Sequence, residues 1–424
     1  MNVLLVGSGG REHALAIKLS QSPLLEKLYI APGNPGTEKL GINLSIKTND
    51  DIVNFCISDK IDLVVVGPEV PLVEGIADKL RAHNIPVFGP NADAAMIEGD
   101  KSFSKWLMEK YNIPTAGYKA FSKDEYDSSI NYLKTHSYPV VIKASGLAAG
   151  KGVSICNTFE EAKHIIEDNF NNLIFGHASE KVVVEEFMNG EEASVFAITD
   201  GENFVCLPAA QDHKRIGDND TGKNTGGMGA YAPAPIVTDS LLKKVEYKII
   251  KPTLKGLASE GKKFVGCLYC GLMIENGEPK VVEFNCRFGD PETQVVLPLL
   301  EGDFLKLLYS AANGNLDRDA VKFINGSSVC VVAASKGYPD KFEKGFEITG
   351  LNNFDNDSEI IIYHSGTKSD GNKILSNGGR VLGVTSVIKE NNLKLCKQKA
   401  YEAINNIFFE NIYYRRDIAD KGIK

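Results

Sequence analysis

The segment Val281-Val282-Glu283-Phe284-Asn285-Cys286-Arg287-Phe288-Gly289-Asp290-Pro291-Glu292 decides how the rest of the chain is interpreted. Apolar and polar residues alternate at its start, which predicts a strand with Glu283 and Asn285 on one face and Val282 and Phe284 on the other. A carboxylate beside an amide oxygen suits Mg²⁺, which takes few protein ligands when phosphates supply the others. Arg287 continues the alternation and can grip a carboxylate or a phosphate. Taken alone, the pattern fits a half-buried strand with a solvated polar face better, so the rest of the chain has to decide.

Length and composition are those of an ordinary globular chain. The 424 residues predict roughly two to four domains, and 43% hydrophobic residues allow a sizeable core. The formal net charge of -8 argues against nucleic acid as the main partner. Phosphates remain possible ligands, through local lysines, arginines and backbone N–H groups.

The 8 cysteines are scattered, and we expect all of them to be reduced, in a cytoplasmic protein. Cys267 and Cys270 form a C-x-x-C without a second pair, and their odd separation on a predicted strand puts them on opposite faces. Residues 1–7 are typical of a strand and not of a signal segment. No apolar run approaches membrane-spanning length, so no membrane partner is expected.

The first hundred residues predict a doubly wound α/β domain, because strands at 3–6, 61–66 and 86–89 alternate with helices. The strand 3–6 leads through Gly7-Ser8-Gly9-Gly10 into a helix, an arrangement whose helix N-terminus accepts phosphate. The dinucleotide fingerprint fails, since Glu12 replaces its third glycine and no acidic residue follows the second strand. NAD is therefore disfavoured. A smaller anion and a simple tight turn both remain open.

A second region, 92–190, predicts a lysine-bearing helix and a glycine-rich hairpin. Residues 92–111 are expected to be helical, with Lys101 and Lys105 one turn apart on a face that is by default solvated. Capping boxes at 122–125 and 158–161 predict two further helix starts. Between them, the loop 144–152 departs from the P-loop spacing and is flanked by two strands, so it is a hairpin tip. It can be a flap over phosphates, with Lys143 at its base and Lys151 on it, or a plain flexible hairpin, and the two lysines and three glycines favour the flap.

The remaining segments predict a substrate loop and a small closing domain. The strand 181–187 ends in an acidic turn that can hold a flat base or be merely solvated. The polar segment 211–235 is too long for an ordinary loop, and its charged residues favour a substrate loop over a linker. Strands at 328–334, 359–363 and 380–387 and a helix at 392–408 follow, with no catalytic cluster.

In this order, the segments resemble the phosphoribosylamine–glycine ligases of the ATP-grasp superfamily, nearly end to end. The resemblance is carried by sequences at 7–14, 65–69, 143–153, 185–194, 211–215, 224–231 and 283–292, the last of them highly specific. The chain ends soon after the closing domain, and so resembles the single-function form and not the fused form. The implied fold has an N-terminal doubly wound α/β (pre-ATP-grasp) domain at 1–104, an ATP-grasp domain at 105–325 with a flap subdomain at about 122–190, and a small α+β domain at 326–424.

The resemblance implies a reaction and a set of site residues. ATP would drive the joining of glycine to 5-phosphoribosylamine through a glycyl phosphate, in purine synthesis. The metal ligands for Mg²⁺ or Mn²⁺ would be Glu283 and Asn285, and the catalytic residues Arg287, Lys143 and Asp212. ATP would be bound by Lys101, Lys105, Lys143, Ser145, Gly146, Gly150, Lys151, Gly152, Glu185, Glu186, Phe187, Met188 and Glu192. The two other substrates would be bound by Gly9, Gly10, Arg11, Asn34, Gly36, Pro68, Glu69, Asp212, His213, Thr225, Gly226, Met228, Arg287 and Asp290.

Two points complete the expectation. The superfamily often has a further acidic metal ligand on the preceding strand, where this chain has Gly271, so the metal site would be sparse. The protein is expected to be a monomer. The rivals are a related ligase that uses bicarbonate or formate and a non-catalytic nucleotide-binding protein, and a dehydrogenase is disfavoured.

Overall fold

A computed structural model describes residues 1–46, 48–148, 151–355 and 357–423. Its first region is a five-stranded parallel sheet of order β3-β2-β1-β4-β5. Val3 and Leu5 are buried on one face of β1 and Leu4 and Val6 on the other, which confirms a sheet that is covered on both faces. The elements are β1 (Asn2–Gly7), α1 (Gly10–Ser20), β2 (Lys27–Pro32), β3 (Ile42–Asn43), α2 (Asn49–Ser58), β4 (Leu63–Val66), α3 (Glu69–Val73), α4 (Ile76–Ala82), β5 (Val87–Phe88), α5 (Ala92–Gly99) and α6 (Lys101–Lys110).

The predicted single helix at 92–111 is two helices, and Asp100 separates them. Asp100 has an extended backbone, and its carboxylate accepts the backbone N–H groups of Ser102 and Phe103, which caps α6. Lys101 therefore stands in the first turn of a new helix rather than in the middle of a long one.

The glycine-rich hairpin belongs to a four-stranded antiparallel sheet of order β6-β9-β7-β8. Its elements are β6 (Tyr118–Ser122), α7 (Tyr126–Lys134), β7 (Val140–Ala144), β8 (Val153–Cys156), α8 (Phe159–Phe170) and β9 (Lys181–Glu186). Strands β7 and β8 pair directly, which confirms the hairpin. The capping boxes also lie at helix starts: Ser122 caps a 3₁₀ turn that leads into α7, and Thr158 caps α8. Both helices pack on this sheet through one apolar cluster.

A second four-stranded sheet, of order β11-β10-β16-β17, contains the start of the segment 281–292 in its last strand. Cys267 and Cys270 lie on its opposite faces, in different buried clusters, as predicted, and all cysteines are free thiols. The elements of this stretch are β10 (Glu191–Thr199), β11 (Phe204–Cys206), β12 (Gln211–Asp212), β13 (Arg215–Gly217), β14 (Thr221–Asn224), β15 (Gly229–Ala232), α9 (Asp239–Val245), a π-helical turn (Glu246–Ile250), α10 (Lys251–Ser259), β16 (Gly266–Glu275), β17 (Glu278–Asn285), α11 (Thr293–Val296), β18 (Leu300–Gly302), α12 (Phe304–Ala312) and β19 (Val321–Phe323).

The last region is a larger sheet of order β12-β15-β20-β24-β21, with β25 beside β20. Its remaining elements are β20 (Ser327–Ser335), β21 (Ile360–His364), β22 (Thr367–Asp370), β23 (Lys373–Ser376), β24 (Arg380–Ile388), α13 (Leu393–Ile404) and β25 (Ile412–Tyr413). The three strands and the helix predicted after residue 326 are confirmed. The expectation that 211–235 is one long loop is wrong, because the segment forms a short hairpin of β13 and β14 and then strand β15, which pairs with β20.

One strand departs from simple alternation. Strand β17 pairs Glu283 with Gly271 and Val281 with Leu272, so Val282 is the extra residue of a β-bulge. Because of the bulge, Val281 and not Val282 packs beside Phe284 in the core. The expectation that Val282 and Phe284 lie on the same face of the strand is therefore wrong.

None of the helices in the described parts of the chain is long and apolar enough to cross a membrane.

Candidate active site

A cavity of about 890 Å³ lies where the hairpin sheet, the sheet of β16 and β17, and the loops of the first and last regions meet. It brings together most of the predicted catalytic, ATP-binding and metal residues. Lys101, Lys105, Lys143, Glu185, Glu186, Phe187, Met188, Glu192, Asp212, Glu283, Asn285 and Arg287 all line it.

Two buried lysines share one buried carboxylate in this cavity. Lys105 Nζ lies 2.9 Å and Lys143 Nζ 3.0 Å from the Glu185 carboxylate, and the three side chains are at most 5% exposed. Burial, together with the charge of Lys143, lowers the pKa of Lys105 to about 8 against the opposing effect of Glu185. The default expectation of a solvated face is thus wrong for Lys105. Two ammonium groups against one carboxylate leave a buried excess of positive charge, which an anionic ligand can neutralise.

The base of the flap is fastened to the start of α6. Ser145 Oγ donates to Asp100 Oδ1 (2.6 Å) and accepts from the backbone N–H of Ser102 (2.9 Å), while Lys101 Nζ donates to the Gly146 carbonyl (3.0 Å). A side chain on Gly146 would meet Ala178 at 2.8 Å, so the glycine is needed for close packing. Ser145 and Gly146 therefore have structural partners here.

The flap itself is only partly placed at the cavity. Gly152 lines the cavity, and Lys151 is exposed and lies outside the lining. Gly150 falls outside the described residues.

The bulge in β17 connects the two sheets around the cavity. The carbonyl of the bulged residue, Val282, accepts a hydrogen bond from Lys143 Nζ at 2.9 Å. The next residue, Glu283, lines the cavity but has no hydrogen bond or ion pair to the described part of the chain. Burial alone would raise its pKa, but the nearby charges of Lys214, Lys143, Lys101 and Arg287 outweigh burial and hold the pKa below its ordinary value. Glu283 is therefore an ionised carboxylate that has no hydrogen-bond or ion-pair partner among the described residues.

Asn285 stands beside Glu283, with its amide fixed by a neighbour. With the amide nitrogen toward Glu98, Asn285 donates to Glu98 Oε1 (3.1 Å) and to the Phe284 carbonyl (3.2 Å), an orientation assigned from the hydrogen-bond network. Asn285 Oδ1 then lies on the side of the amide away from these two acceptors. An ionised carboxylate without a hydrogen bond from the described residues, beside an amide oxygen, fits a hard divalent cation that takes its other ligands from phosphates and water. Among the described residues no group of three or more His, Cys, Asp or Glu side chains could hold a metal by itself.

Arg287 is held between two carboxylates. Its Nε lies 3.1 Å from Glu69 Oε2, its Nη2 2.8 Å from Glu98 Oε1, and its Nη1 donates to the Phe288 carbonyl at 3.2 Å. Burial opposes its charge, yet the carboxylates of Glu98 and Glu69 raise its pKa above the ordinary value. These bonds use three of its five N–H groups, which leaves two for a ligand carboxylate.

The Gln211–Arg215 stretch divides its side chains between the cavity and the core. Asp212 and Lys214 line the cavity, and Lys214 is paired with Glu192. Burial raises the pKa of Asp212 to about 7, with Lys214 opposing and the carboxylates of Glu292, Glu192 and Glu283 adding to the rise. His213 is only 1% exposed and packs beside Tyr231, at 6.0 Å between ring centroids. His213 therefore does not line the cavity, and its contact with a substrate stays a prediction.

The remaining predicted substrate residues fall into two groups. Arg11, Glu69, Thr225, Gly226 and Asp290 line the main cavity, while Gly9 and Pro68 line a smaller one of about 280 Å³ at the end of the parallel sheet. Gly10 and Gly36 pack against Gln294, Ser365 and His13, and Met228 is fully buried. The Asn34 amide donates to the carbonyls of Ser8 and His364 and accepts from the N–H groups of Gly36 and Thr37. Gly10, Asn34, Gly36 and Met228 thus have structural contacts and do not line either cavity, and their role in substrate binding stays a prediction.

Several lining residues were not predicted from the sequence: Glu98, Lys214, Tyr269, Glu292, Arg380 and Lys421. Arg380 donates to the carbonyls of Gly226 (2.6 Å) and Asp290 (2.8 Å) and pairs with Asp290 Oδ2 (3.0 Å). The last region was expected to carry no catalytic cluster, and nothing in its sequence marks Arg380 or Lys421. Lys214 and Glu292 lie within the motifs at 211–215 and 283–292, and their place in these motifs was the one sequence signal that could have identified them.

Comparison with known families gives three matches in chain order. Residues 1–98 match the family described as "Phosphoribosylglycinamide synthetase, N domain", residues 99–293 the "ATP-grasp (A) domain" and residues 328–421 the "C domain" of the same synthetase. Together they cover most of the chain.

Individual proteins agree with these matches. The chain is 47% identical over 421 residues to the phosphoribosylamine–glycine ligase of Caldanaerobacter subterraneus subsp. tengcongensis, covering 99% of both chains. It is similar to the crystal structure of the phosphoribosylamine–glycine ligase of Thermotoga maritima, with a TM-score of 0.83 and 34% identity over 98% of this chain and 100% of that one. The biotin carboxylase domain of a Hydrogenobacter thermophilus 2-oxoglutarate carboxylase shares the fold alone, with a TM-score of 0.72 at 17% identity over 97% and 91% of the two chains.

Proposed function

The chain belongs to the phosphoribosylglycinamide synthetase family of ATP-grasp enzymes, and we propose that it is a phosphoribosylamine–glycine ligase of purine biosynthesis. The reaction joins the carboxyl group of glycine to the amine of 5-phosphoribosylamine and converts ATP to ADP and phosphate. We further propose that it proceeds in the cytoplasm, in a monomeric enzyme.

One observation supports this function most directly. The excess positive charge of Lys105 and Lys143 around Glu185 faces the same cavity as the ionised carboxylate of Glu283, which is unpaired in the part of the chain that the structure describes. A triphosphate needs cationic side chains, and a phosphate-bound divalent cation needs oxygen ligands on its other side. The cavity offers both.

Within the cavity, each wall has its own part in binding ATP. Lys101, Lys105 and Lys143 hold the phosphates, with the flap hairpin above them. The strand end from Glu186 to Met188 holds the adenine. Glu192 accepts hydrogen bonds from the ribose hydroxyls once its ion pair with Lys214 is broken. Glu283 and Asn285 hold Mg²⁺ or Mn²⁺, which neutralises phosphate charge and aligns the transferred group when it is bound.

The chemistry has two balanced steps. A glycine carboxylate oxygen attacks the γ-phosphorus of ATP, the bond to the bridging oxygen breaks, and ADP leaves behind a glycyl phosphate. The amine nitrogen of phosphoribosylamine then attacks the glycyl carbonyl carbon, phosphate leaves, and one amine proton is released as the amide forms. The protein contributes positioning and charge stabilisation, and no side chain has to form a covalent bond.

The two remaining substrates are assigned to the walls near Arg287. The free N–H groups of Arg287 hold the glycine carboxylate, and Asp212 faces its ammonium group. With a pKa of about 7, Asp212 is also suited to receive a proton from an amine near neutral pH. Gly9, Arg11, Pro68 and Glu69 at the parallel sheet hold phosphoribosylamine, together with Thr225, Gly226 and Asp290.

The test is release of ADP from ATP by the purified full chain in the presence of Mg²⁺. We expect ADP to accumulate only when glycine and freshly formed phosphoribosylamine are both present, with glycinamide ribonucleotide detected by mass spectrometry in equal amount. Bicarbonate and formate in place of glycine are the controls for related ligases. ADP release that ignores the amine, or that follows bicarbonate or formate, would contradict the proposal.

A further inference from the structure

Glu98, at the end of α5, makes contacts that neither the sequence motifs nor the reaction chemistry account for. The residue is 8% exposed and lies against Asn285, which ends strand β17, and against Cys286 and Arg287, which follow it. Its Oε2 accepts the backbone N–H of Cys286 at 2.8 Å, and its Oε1 accepts from Arg287 Nη2 at 2.8 Å and from the Asn285 amide nitrogen at 3.1 Å. A single carboxylate thus fixes the backbone and two side chains of this turn.

The contact with Asn285 has a chemical consequence. A carboxamide can rotate by 180° with little change in shape, and its two faces are opposite in kind: an oxygen that accepts and an NH₂ that donates. Only the oxygen can ligate a cation. Both oxygens of Glu98 already accept N–H groups, from Cys286 and from Arg287, so Glu98 presents an acceptor to Asn285 and favours the orientation in which the Asn285 nitrogen faces it and the Asn285 oxygen is turned away.

The charge of Glu98 is compensated where it stands. Burial, with the charge of Glu69, raises the pKa of Glu98, and Arg287, which bridges Glu98 and Glu69, opposes this rise together with the Cys286 N–H. The buried carboxyl group thus has a cationic partner as well as a backbone donor. Among the described residues, Glu69 contacts Arg287 but makes no hydrogen bond to Asn285 or Cys286. Glu69 is therefore the matched control, because both carboxylates bind Arg287 and only Glu98 contacts the proposed metal ligand Asn285.

We propose that Glu98 is a positioning residue that holds the Asn285 amide with its oxygen toward the divalent cation that accompanies the nucleotide. This inference rests on the proposed function for the metal ligands, and it adds a residue outside the ligand set. Partners that orient metal ligands typically change metal affinity by about 10- to 100-fold when removed. A residue that merely joined α5 to β17 would not act selectively on the metal.

The experiment measures ADP binding to the purified full chain by calorimetry, once with EDTA and once with saturating Mg²⁺. The ratio of the two dissociation constants is the gain due to the metal. In Glu98→Gln we expect this gain to fall about tenfold or more, with the affinity in EDTA unchanged. In Glu69→Gln, the gain should stay as in the unmodified protein. An unchanged gain in Glu98→Gln, or an equal loss of affinity with and without Mg²⁺, would overturn the proposal.

A second pair of variants tests the same contact from the other side. Asn285→Asp alone places a carboxylate against Glu98, and repulsion between like charges should lower the metal gain. In the double variant Glu98→Gln with Asn285→Asp, the new amide at position 98 can donate to one oxygen of the new carboxylate while the other oxygen faces the cation. We expect the gain to recover above that of either single variant. If Asn285→Asp alone keeps or exceeds the original gain, the proposed contact is not what orients the ligand.

The outcomes separate this inference from the proposed function. ADP binding needs neither glycine nor phosphoribosylamine, so a failed ligase assay with the expected shift in metal gain would contradict the ligase alone. If the unmodified protein shows no metal gain, the assignment of the metal ligands and the role of Glu98 both fall.

Discussion

Lys143 Nζ donates to the carbonyl oxygen of Val282 at 2.9 Å, and this bond joins the hairpin sheet to β17, the strand that carries the proposed metal ligands. The acceptor is available because Val282 is the extra residue of the β17 bulge. The lysine that we assign to the phosphates is thus located by the backbone next to Glu283. Movement of one sheet relative to the other would break this bond and change the distance between Lys143 and Glu283.

Replacement of Lys143 by alanine should lower turnover by about 10²- to 10³-fold, because it removes one charge contact with the transferring phosphoryl group. The measurement is steady-state ADP release with saturating glycine and phosphoribosylamine. Lys123→Ala is the control, since Lys123 is an exposed lysine of the same sheet region and makes the same change in net charge. Near-normal turnover in Lys143→Ala would contradict the assigned role.

Glu283→Gln keeps the size of the side chain but removes its charge, and we expect turnover to fall by about 10²- to 10³-fold with a higher requirement for Mg²⁺. The reason is the loss of the ionised member of the proposed ligand pair. Turnover is measured over a series of Mg²⁺ concentrations. Glu275→Gln, at an exposed position of the neighbouring strand, should follow the unmodified protein. A Mg²⁺ dependence that does not move would argue for a different metal site.

Binding of ADP should weaken as the pH rises through about 8. Burial lowers the pKa of Lys105 to about 8 in the free protein, so below that pH the side chain is charged and attracts phosphate, and above it the attraction is lost. The dissociation constant for ADP should rise by up to about tenfold per pH unit above 8, as expected when binding takes up one proton. In Lys105→Met this dependence should disappear. Its persistence in that variant would assign the titration to another group.

Arg380→Met should lower the free energy of unfolding by about 3 kcal/mol, because the variant leaves Asp290 without its cation in a largely buried place. Urea unfolding followed by circular dichroism measures the change. Arg318→Met, at an exposed arginine, should change the free energy by less than about 0.5 kcal/mol.

The double variant with Asp290→Asn should lose less than the sum of the two single changes, because both partners of the pair are then removed together. Full additivity would show that the pair does not interact.

The sequence was sufficient for features that depend on local pattern. The parallel sheet, the hairpin between β7 and β8, the opposite faces of Cys267 and Cys270 and the shared side of Glu283 and Asn285 all follow from periodicity and turn residues. The break between the two helices at Asp100 could also have been predicted, since aspartate is a strong N-cap residue. The helical pattern alone did not show that a capping residue inside it starts a second helix.

Other features depend on contacts between distant parts of the chain, which one sequence does not record. Glu98 meets Arg287 almost two hundred positions later, and Arg380 reaches back to Gly226. The bulge at Val282 is set by the pairing of β16 with β17 and not by the residues of β17 alone. His213 lies in a motif with charged neighbours, so its position on the core side could only be seen once β12 was paired.

Strand β15 has a consequence for the modularity of the protein. It lies between β12 and β20, although about a hundred residues separate it from β20 along the chain. A fragment that starts at residue 326 would therefore leave the backbone of β20 open along Ser328–Val331, and open edges of this kind recruit other strands and promote aggregation. An exchange of this unit between related enzymes has to carry the 211–232 segment with it, so the smallest transferable piece is discontinuous in the gene.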